Sequence, residues 1–404
     1  MSMRINCQLY LKQSRLAGFF LCCALLLVAC SEPAAPTDNF SLLQAKRAEQ
    51  QGLVSLALPL YQKAAQQGDV AAVSAVMRLQ IPNVGVAALG EWLQRLPLSS
   101  QQKQPFLAQL GLWQQVPADA ALLYQQRWHN SILHQSLQPQ SQCALYLQPV
   151  LTTQQSALQW VQLQQQWRKD SQLSSLAICF QAPIYVDSQI LGCSEQRAER
   201  IQCNVKPLAS LVLQSDVTHL LVIAGQGGAS YNNGWLQLPE NATLPLLRHE
   251  LSHLFGFMDE YPLAKTIAGS ECVPGRITPN LLFSKNDLSA YLAKWQLKHS
   301  DIQLTAVDSC KHTSQQAYRV VAADSHLQHY ELPMPDLYLE LMQQQLRQPS
   351  QLMPVAYYFA YLARQQQDWD RWQQLMRRAA SSGYPPAQQA LTEASGSGVG
   401  RTIR

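Results

Sequence analysis

The feature that most constrains this chain is the stretch at residues 249–261, which reads HELSHLFGFMDEY. On an α-helix, side chains four residues apart lie on the same face, so His249 and His253 can present two imidazoles to one metal ion. Glu250 follows the first histidine, where its carboxylate can take a proton from a metal-bound water. The spacing therefore predicts a helix that carries a catalytic metal site.

Two histidines alone do not complete such a site, because a catalytic zinc ion uses three protein ligands and leaves one position for water. Asp259 lies ten residues after the first histidine, beyond Gly256, which can turn the chain out of the helix. Glu260 and His329 are alternative third ligands. We therefore predict one Zn²⁺ per chain, held by the two histidines and Asp259.

The competing interpretation is an amphipathic core helix whose two histidines are only hydrogen-bonded. An apolar face that would pack against a sheet is formed by Leu247, Leu251, Leu254 and Phe255. This interpretation gives no role to the cluster of acidic residues formed by Glu250, Asp259 and Glu260.

The whole stretch resembles the metzincin type of zinc peptidase, in the variant with aspartate as the third ligand. Its ending DEY also resembles the IgA-peptidase-like group, in which one more residue is expected between the helix and this triplet. The resemblance implies a zinc-dependent metalloendopeptidase acting on a protein or peptide substrate. From its place after the ligand turn, Tyr261 is a candidate to steady the oxyanion, with a packed aromatic as the alternative. Met334 is the candidate for a Met-turn beneath the metal, with a packed loop residue as the alternative.

Residues 1–29 predict a bacterial lipoprotein signal peptide. Three basic residues precede an apolar run at 16–28 that is too short to span a membrane. The segment LVAC at 27–30 resembles a lipobox, which implies cleavage before Cys30 and its lipidation. Ser31 follows, and by resemblance this favours the outer membrane, with the domain on the periplasmic or surface face. An ordinary secretory signal with an incidental cysteine is the alternative.

Cysteine usage agrees with export to an oxidising compartment. Six cysteines lie beyond the lipobox, and an even number in an exported protein indicates disulfide bonds. A thiolate zinc site is the alternative, but no C-x-x-C spacing supports it. We predict the three pairs Cys193–Cys203, Cys272–Cys310 and Cys143–Cys179.

Composition limits the remaining functional classes. With 404 residues, of which 47% are hydrophobic, the chain can bury two or three cores. The net charge is +4, and no cluster of basic residues lies outside the signal peptide, so the sequence does not predict a nucleic-acid-binding surface. Beyond residue 30, no apolar run reaches the length that crosses a membrane.

The chain is predicted to have five parts: the signal peptide 1–29, a helical arm 30–138, the zinc metallopeptidase domain 139–335, a C-terminal helical arm 336–393 and a disordered tail 394–404. Segments 61–72 and 375–387 resemble Sel1-type or tetratricopeptide-like repeats, with Gly68 and Gly383 at matching turns. An ordinary antiparallel helical pair is the alternative. The predicted fold class is α+β, with a mixed sheet and an active-site helix between repeat-like arms.

Within residues 139–335, apolar runs predict buried strands at 143–150, 176–180, 208–213 and 219–224. Residues 234–238 alternate as an exposed edge strand would. By analogy with metzincin-like domains, such a strand borders the cleft and pairs with extended substrate. The glycines at 225–228 match no phosphate-binding motif. Thr243 is predicted to cap the motif helix, and Pro245 is tolerated in its first turn.

The leading hypothesis is an exported, lipid-anchored zinc metallopeptidase in which Glu250 is the general base. The alternative is a non-catalytic envelope scaffold. Its helical arms would bind envelope proteins, since repeats usually serve recognition, and its metal site would be structural or vestigial. Glu250 separates the two hypotheses, because a purely structural site does not need a base.

Overall fold

The computed structural model describes residues 40–133 and 143–396. The predicted signal peptide, the lipidation site Cys30 and most of the predicted tail lie outside these ranges. The chain divides into two compact units, residues 1–76 and 77–404. This division falls earlier than the predicted boundary at 138/139.

In the first unit, the described residues form helices α1 (Phe40–Gln50) and α2 (Val54–Gln66) and the start of α3 (Val70–Val84). Small side chains are buried in the packing of these helices, and they are Ala45, Ala48, Ala57, Ala64 and Ala65. Gly68 makes the turn before α3 with φ of 87°, a conformation that glycine adopts without strain. The repeat resemblance of this segment stays a prediction.

The second unit contains all the described strands and the remaining helices. Its helices are α4 (Val86–Gln94), α5 (Ser100–Gln109), α6 (Ala118–Leu133), α7 (Gln154–Lys169), α8 (Ser188–Leu191), α9 (Ala209–Gln214), α10 (Leu244–Leu254), α11 (Lys265–Glu271), α12 (Leu288–Trp295), α13 (Asp336–Leu346), α14 (Val355–Gln365), α15 (Trp369–Ser381) and α16 (Pro385–Gly396). Its strands are β1 (Leu145–Leu151), β2 (Ile178–Phe180), β3 (Ile184–Tyr185), β4 (His219–Ile223), β5 (Ser230–Asn232), β6 (Trp235–Leu238), β7 (Leu281–Leu282), β8 (Thr305–Val307) and β9 (Ala317–Arg319).

The main sheet has the order β2-β1-β4-β6-β5, and β3 also pairs with β1. All its pairings are parallel except that of β5, which runs antiparallel to β6 at the edge. A second, antiparallel sheet has the order β7-β9-β8. The predicted α+β class with a mixed sheet is confirmed.

Helices cover both faces of the main sheet. Side chains alternate along β4, so that Leu221 and Ile223 enter one core while Leu220 and Val222 enter the other. We call the first side, packed by α7, α10 and α13, the front face, and the second side, packed by α9 and α14–α16, the rear face. The helices within residues 336–393 thus pack against the main sheet.

The strand predicted at 208–213 is wrong. Residues Lys206–Leu208 form a 3₁₀ turn that leads into α9, with Pro207 at the start of the turn. Leu208, Ala209 and Val212 are buried, which is the spacing of one helical face. A short apolar run does not by itself distinguish a buried strand from a buried helix.

The edge position predicted for residues 234–238 is also wrong. β6 lies between β4 and β5, all four of its residues are buried, and β5 forms the edge. Asn233 and Gly234 both have positive φ, 48° and 94°, and they close a two-residue hairpin between β5 and β6. The Asn-Gly dipeptide is a strong hairpin signal, and it places the edge strand before it.

The three predicted disulfide bonds are confirmed, with pairs Cys143–Cys179, Cys193–Cys203 and Cys272–Cys310. The last of these ties α11 to the segment after β8. Across the described residues, the structure contains no helix that is both long enough and apolar enough to cross a membrane.

Candidate metal centre

Helix α10 carries the motif and is held by local signals at its start. Thr243 caps it by accepting a hydrogen bond from the backbone of Leu246, and Pro245 lies in the first turn, as predicted. The leucines at 247, 251 and 254 are buried in the front core. Because this apolar face is fixed against the sheet, the histidines project from the other side of the helix.

The two histidines and Asp259 converge. The Nε2 atoms of His249 and His253 lie 3.3 Å apart. Asp259 Oδ1 lies 3.2 Å from the Nε2 of His249 and 3.3 Å from that of His253. Among the described residues, these three side chains form the group that could hold a metal ion.

Backbone carbonyls set the orientation of both imidazoles. The Nδ1 of His249 donates to the carbonyl oxygen of His326 at 2.8 Å, and that of His253 donates to Phe257 at 2.9 Å. A carbonyl only accepts, so each Nδ1 carries a proton, and each ring, when it is neutral, presents an Nε2 lone pair. Two lone pairs and a carboxylate oxygen at these distances repel one another unless a cation lies among them.

The pKa values of His253 and Asp259 also indicate that this site favours a cation. Burial lowers the pKa of His253, but its hydrogen bond to Asp259 and the charge of that carboxylate outweigh burial and raise the pKa to about 9. Burial raises the pKa of Asp259, whereas the two histidines lower it far below its usual range. The carboxylate therefore stays ionised and attracts either a proton or a metal ion to the rings.

The alternative ligands lie elsewhere. Glu260 is buried and turns away from the histidines, accepting hydrogen bonds from Tyr338, Ser325 and Asn280 at 2.6, 2.9 and 3.1 Å. His329 is exposed. The structure therefore brings together the preferred third ligand, Asp259, and neither of its alternatives.

A set of side chains that the sequence did not single out holds the turn after α10. Asn280 donates to the carbonyl of Met258 and accepts from its N–H, at 2.8 and 2.9 Å. Ser309 donates to the carbonyl of Asp259 at 2.7 Å. His326 pairs with Ser252 of α10 at 2.7 Å. These contacts join segments that are 22 to 74 positions apart, so no local pattern could have revealed them.

A cleft of about 550 Å³ opens over the three side chains, and Glu250 and Tyr261 also line it. Burial raises the pKa of Glu250, and the nearby histidines act in the opposite direction. The Tyr261 ring stacks on His249 with centroids 6.3 Å apart, and burial raises the pKa of its hydroxyl well above the usual range.

Met334 is buried in the front core, and its carbonyl accepts a hydrogen bond from Gln172. The proposed roles of Tyr261 and Met334 stay predictions.

No protein-family model matches this chain, and a search of curated proteins returns no match. The function must therefore be inferred from the residues and the geometry of the site.

Proposed function

We propose that this chain is a zinc-dependent metalloendopeptidase with a metzincin-like domain. The observation that carries the proposal is the convergence of His249, His253 and Asp259 on one point, with Glu250 lining the same cleft. A donor set of two imidazoles and one carboxylate leaves a coordination position for water or substrate, as catalytic zinc sites require.

The ligand atoms are close enough together to share one metal ion, because their three separations are 3.2, 3.3 and 3.3 Å. Two imidazoles and one carboxylate are donors that zinc accepts, and this donor chemistry supports the choice of zinc.

When bound, zinc supplies Lewis acidity that favours deprotonation of water and polarises the scissile carbonyl. Glu250 accepts the proton of the attacking water and delivers it to the leaving amine. Burial raises the pKa of this carboxyl, and the charges of His253 and His249 lower it. The proposed role of Tyr261, which lines the cleft, is to donate a hydrogen bond to the developing oxyanion.

The edge strand β5 also lines the cleft, through Ser230 and Tyr231. An exposed strand edge beside a catalytic centre can pair with the backbone of an extended peptide. This mode of binding suits a peptidase because it recognises main chain and leaves side-chain selection to the walls of the cleft.

The proposed location and partners rest on sequence motifs. We propose that a lipid on Cys30 anchors the mature chain to the bacterial cell envelope, at the outer membrane. The helical segments that resemble Sel1-type repeats are the proposed surfaces for an envelope protein partner.

Zinc analysis combined with a Glu250→Gln variant tests the enzymatic proposal. The purified chain should contain zinc and cleave unfolded protein substrates. The variant should keep the metal and lose on the order of 10²–10⁴-fold in kcat, because a positioned general base contributes that much. A matched control is Glu340→Gln, at an exposed position on α13, which should retain activity.

Unchanged hydrolysis in Glu250→Gln would reject the role of this carboxylate. A wild-type chain that binds metal and envelope proteins yet cleaves nothing would instead favour the scaffold hypothesis.

A further inference from the structure

The two walls of the cleft differ in chemistry. One wall consists of Ser230 and Tyr231 of β5, Gly228 and Ala229 just before it, and Arg200. The other consists of Met258, Leu263 and Ile267, which are apolar. Of the described residues that line the cleft, Arg200 is the sole lysine or arginine.

Arg200 belongs to a loop closed by the disulfide Cys193–Cys203. The residues on either side of Arg200 hydrogen-bond to Gly228, the start of the cleft wall. Ile201 donates to the Gly228 carbonyl at 3.0 Å, and Gly228 donates to the Glu199 carbonyl at 2.7 Å. The backbone of Arg200 is thereby fixed next to the edge strand.

The glycines at 225–228, which match no phosphate-binding motif, are explained by this loop. A Cβ on Gly225 would lie 2.6 Å from the carbonyl oxygen of Ser194, and one on Gly227 would lie 2.5 Å from that of Glu199. Both glycines also have positive φ, of 77° and 140°. Only glycine lets the loop approach this closely, so the glycine cluster seats the loop that presents Arg200.

Arg200 is exposed, and no carboxylate within residues 40–133 and 143–396 forms an ion pair with it. Arg200 lines the same cleft as Glu250 and Tyr261. A guanidinium offers a planar fork of N–H donors that matches the two oxygens of a carboxylate.

We propose that Arg200 is a specificity-determining residue that binds a substrate carboxylate close to the scissile bond. The inference rests on the proposed peptidase function and names its substrate class, which is peptides with an acidic group on the β5 side of the cleft. The carboxylate can belong to an aspartate or glutamate side chain or to a peptide C-terminus.

Paired peptides test this proposal on the zinc-loaded full chain. Cleavage sites found in a proteome-derived peptide library define a core sequence, from which a glutamate peptide and its glutamine counterpart are made, each with a free or an amidated C-terminus. In wild type, the acidic peptide should have the higher kcat/KM. Arg200→Gln should reduce the ratio of acidic to neutral kcat/KM about tenfold or more, because a charge-assisted hydrogen bond is lost. The free and amidated arms identify which carboxylate is bound.

Arg197→Gln is the matched control. Arg197 lies in the same loop, but it contacts Gln226 and Asn83 and does not line the cleft. It should leave the ratio unchanged. An acidic preference that persists in Arg200→Gln, or is absent from an active wild-type enzyme, overturns the proposal.

Peptide binding separates this inference from the proposed function. For this test, a glutamate peptide and its glutamine counterpart are selected for binding to the Glu250→Gln variant, without reference to cleavage, and are titrated into Glu250→Gln and into Glu250→Gln combined with Arg200→Gln. Binding of the acidic peptide should weaken about tenfold in the double variant. Loss of that selectivity without any cleavage by wild type would support Arg200 as a carboxylate site while removing the peptidase proposal. Equal binding of both peptides to Glu250→Gln would remove the role of Arg200.

Discussion

The two faces of the main sheet are covered by helices of different character. On the rear face, every buried side chain of α9 and α14–α16 in the described residues is apolar. The front face has an apolar core next to the sheet, but beyond it lies a layer of buried polar groups, among them Glu260, Asn280, Arg319 and His326. Apolar burial stabilises a fold directly, whereas a buried polar group costs free energy unless it is fully paired.

This contrast separates two tasks within one domain. The apolar rear layer stabilises the fold. The polar layer of the front face costs free energy to bury, and its hydrogen bonds hold the three candidate metal ligands in position. Substitutions on the rear face should therefore change the free energy of unfolding, and those in the polar layer should change metal binding.

The largest effect is expected on the rear face. Phe359 of α14 is buried, and Phe359→Ala should lower the free energy of unfolding by about 3–5 kcal/mol, because it removes apolar contacts and leaves a cavity. Urea unfolding followed by tryptophan fluorescence measures this change. Tyr361→Ala, at an exposed position of the same helix, should change stability much less. Loss of zinc from a folded Phe359→Ala variant would contradict the separation of the two faces.

Glu240 provides a second test of the separation between stability and metal binding. It is a buried acidic residue that does not belong to the candidate metal group. Burial raises its pKa from about 4.5 to about 7, a hydrogen bond from Thr153 opposes the shift, and the charge of Glu195 adds to it. Between these pH values the unfolded chain is ionised at this position while the folded chain keeps the proton. The contribution of Glu240 to stability should therefore be most favourable below pH 4.5, fall as pH rises through this window, and stay reduced above pH 7, by on the order of 3 kcal/mol.

Glu240→Gln should remove this contribution to the pH dependence without changing zinc content. The measurement is the free energy of unfolding of both proteins at pH 5 and pH 8, and titrations common to both proteins cancel in the comparison. Glu393→Gln, at an exposed position, should keep the wild-type dependence. Identical pH profiles for wild type and Glu240→Gln would show that this carboxyl does not titrate as described.

A smaller effect, on zinc affinity, is expected for Glu260, which fixes the turn after α10 through its buried hydrogen bonds. Its carboxylate accepts hydrogen bonds from three side chains and lies 3.8 Å from Arg319. Glu260→Gln keeps the shape but removes an acceptor, so Asp259 should be held less firmly and zinc affinity should fall about 10–100-fold. Competition with a chelating dye measures the affinity, with Glu340→Gln as the exposed control. Equal affinities of wild type and Glu260→Gln would show that the polar layer does not position the metal.

Sequence reasoning succeeded where the determining signals are local. The cap at Thr243, the spacing of the two histidines on one helical face and the glycine-turned offset to Asp259 all lie within seventeen residues. The apolar run at 219–224 also predicts the buried strand β4. Cys193 and Cys203 are ten residues apart, whereas the other two disulfide pairs span 36 and 38 residues.

It failed where tertiary packing or an overlooked local signal decides the outcome. The run at 208–213 is helical because its buried positions face the rear core, which a short apolar segment does not reveal. The Asn233-Gly234 dipeptide is a local hairpin signal that identifies β5, and not residues 234–238, as the edge strand. Tyr338 lies 78 positions from Glu260, the residue that it contacts, and no pattern in one sequence links them.

The most direct test of the account is zinc stoichiometry and affinity in Asp259→Ala, beside His329→Ala. Wild type and His329→Ala should each bind one zinc ion per chain with equal affinity, because His329 is exposed and lies outside the ligand group. Asp259→Ala should bind zinc more than about 100-fold less tightly, because a catalytic zinc site requires its third protein ligand. Full occupancy and unchanged affinity in Asp259→Ala, with zinc lost from His329→Ala, would contradict the assignment of the site.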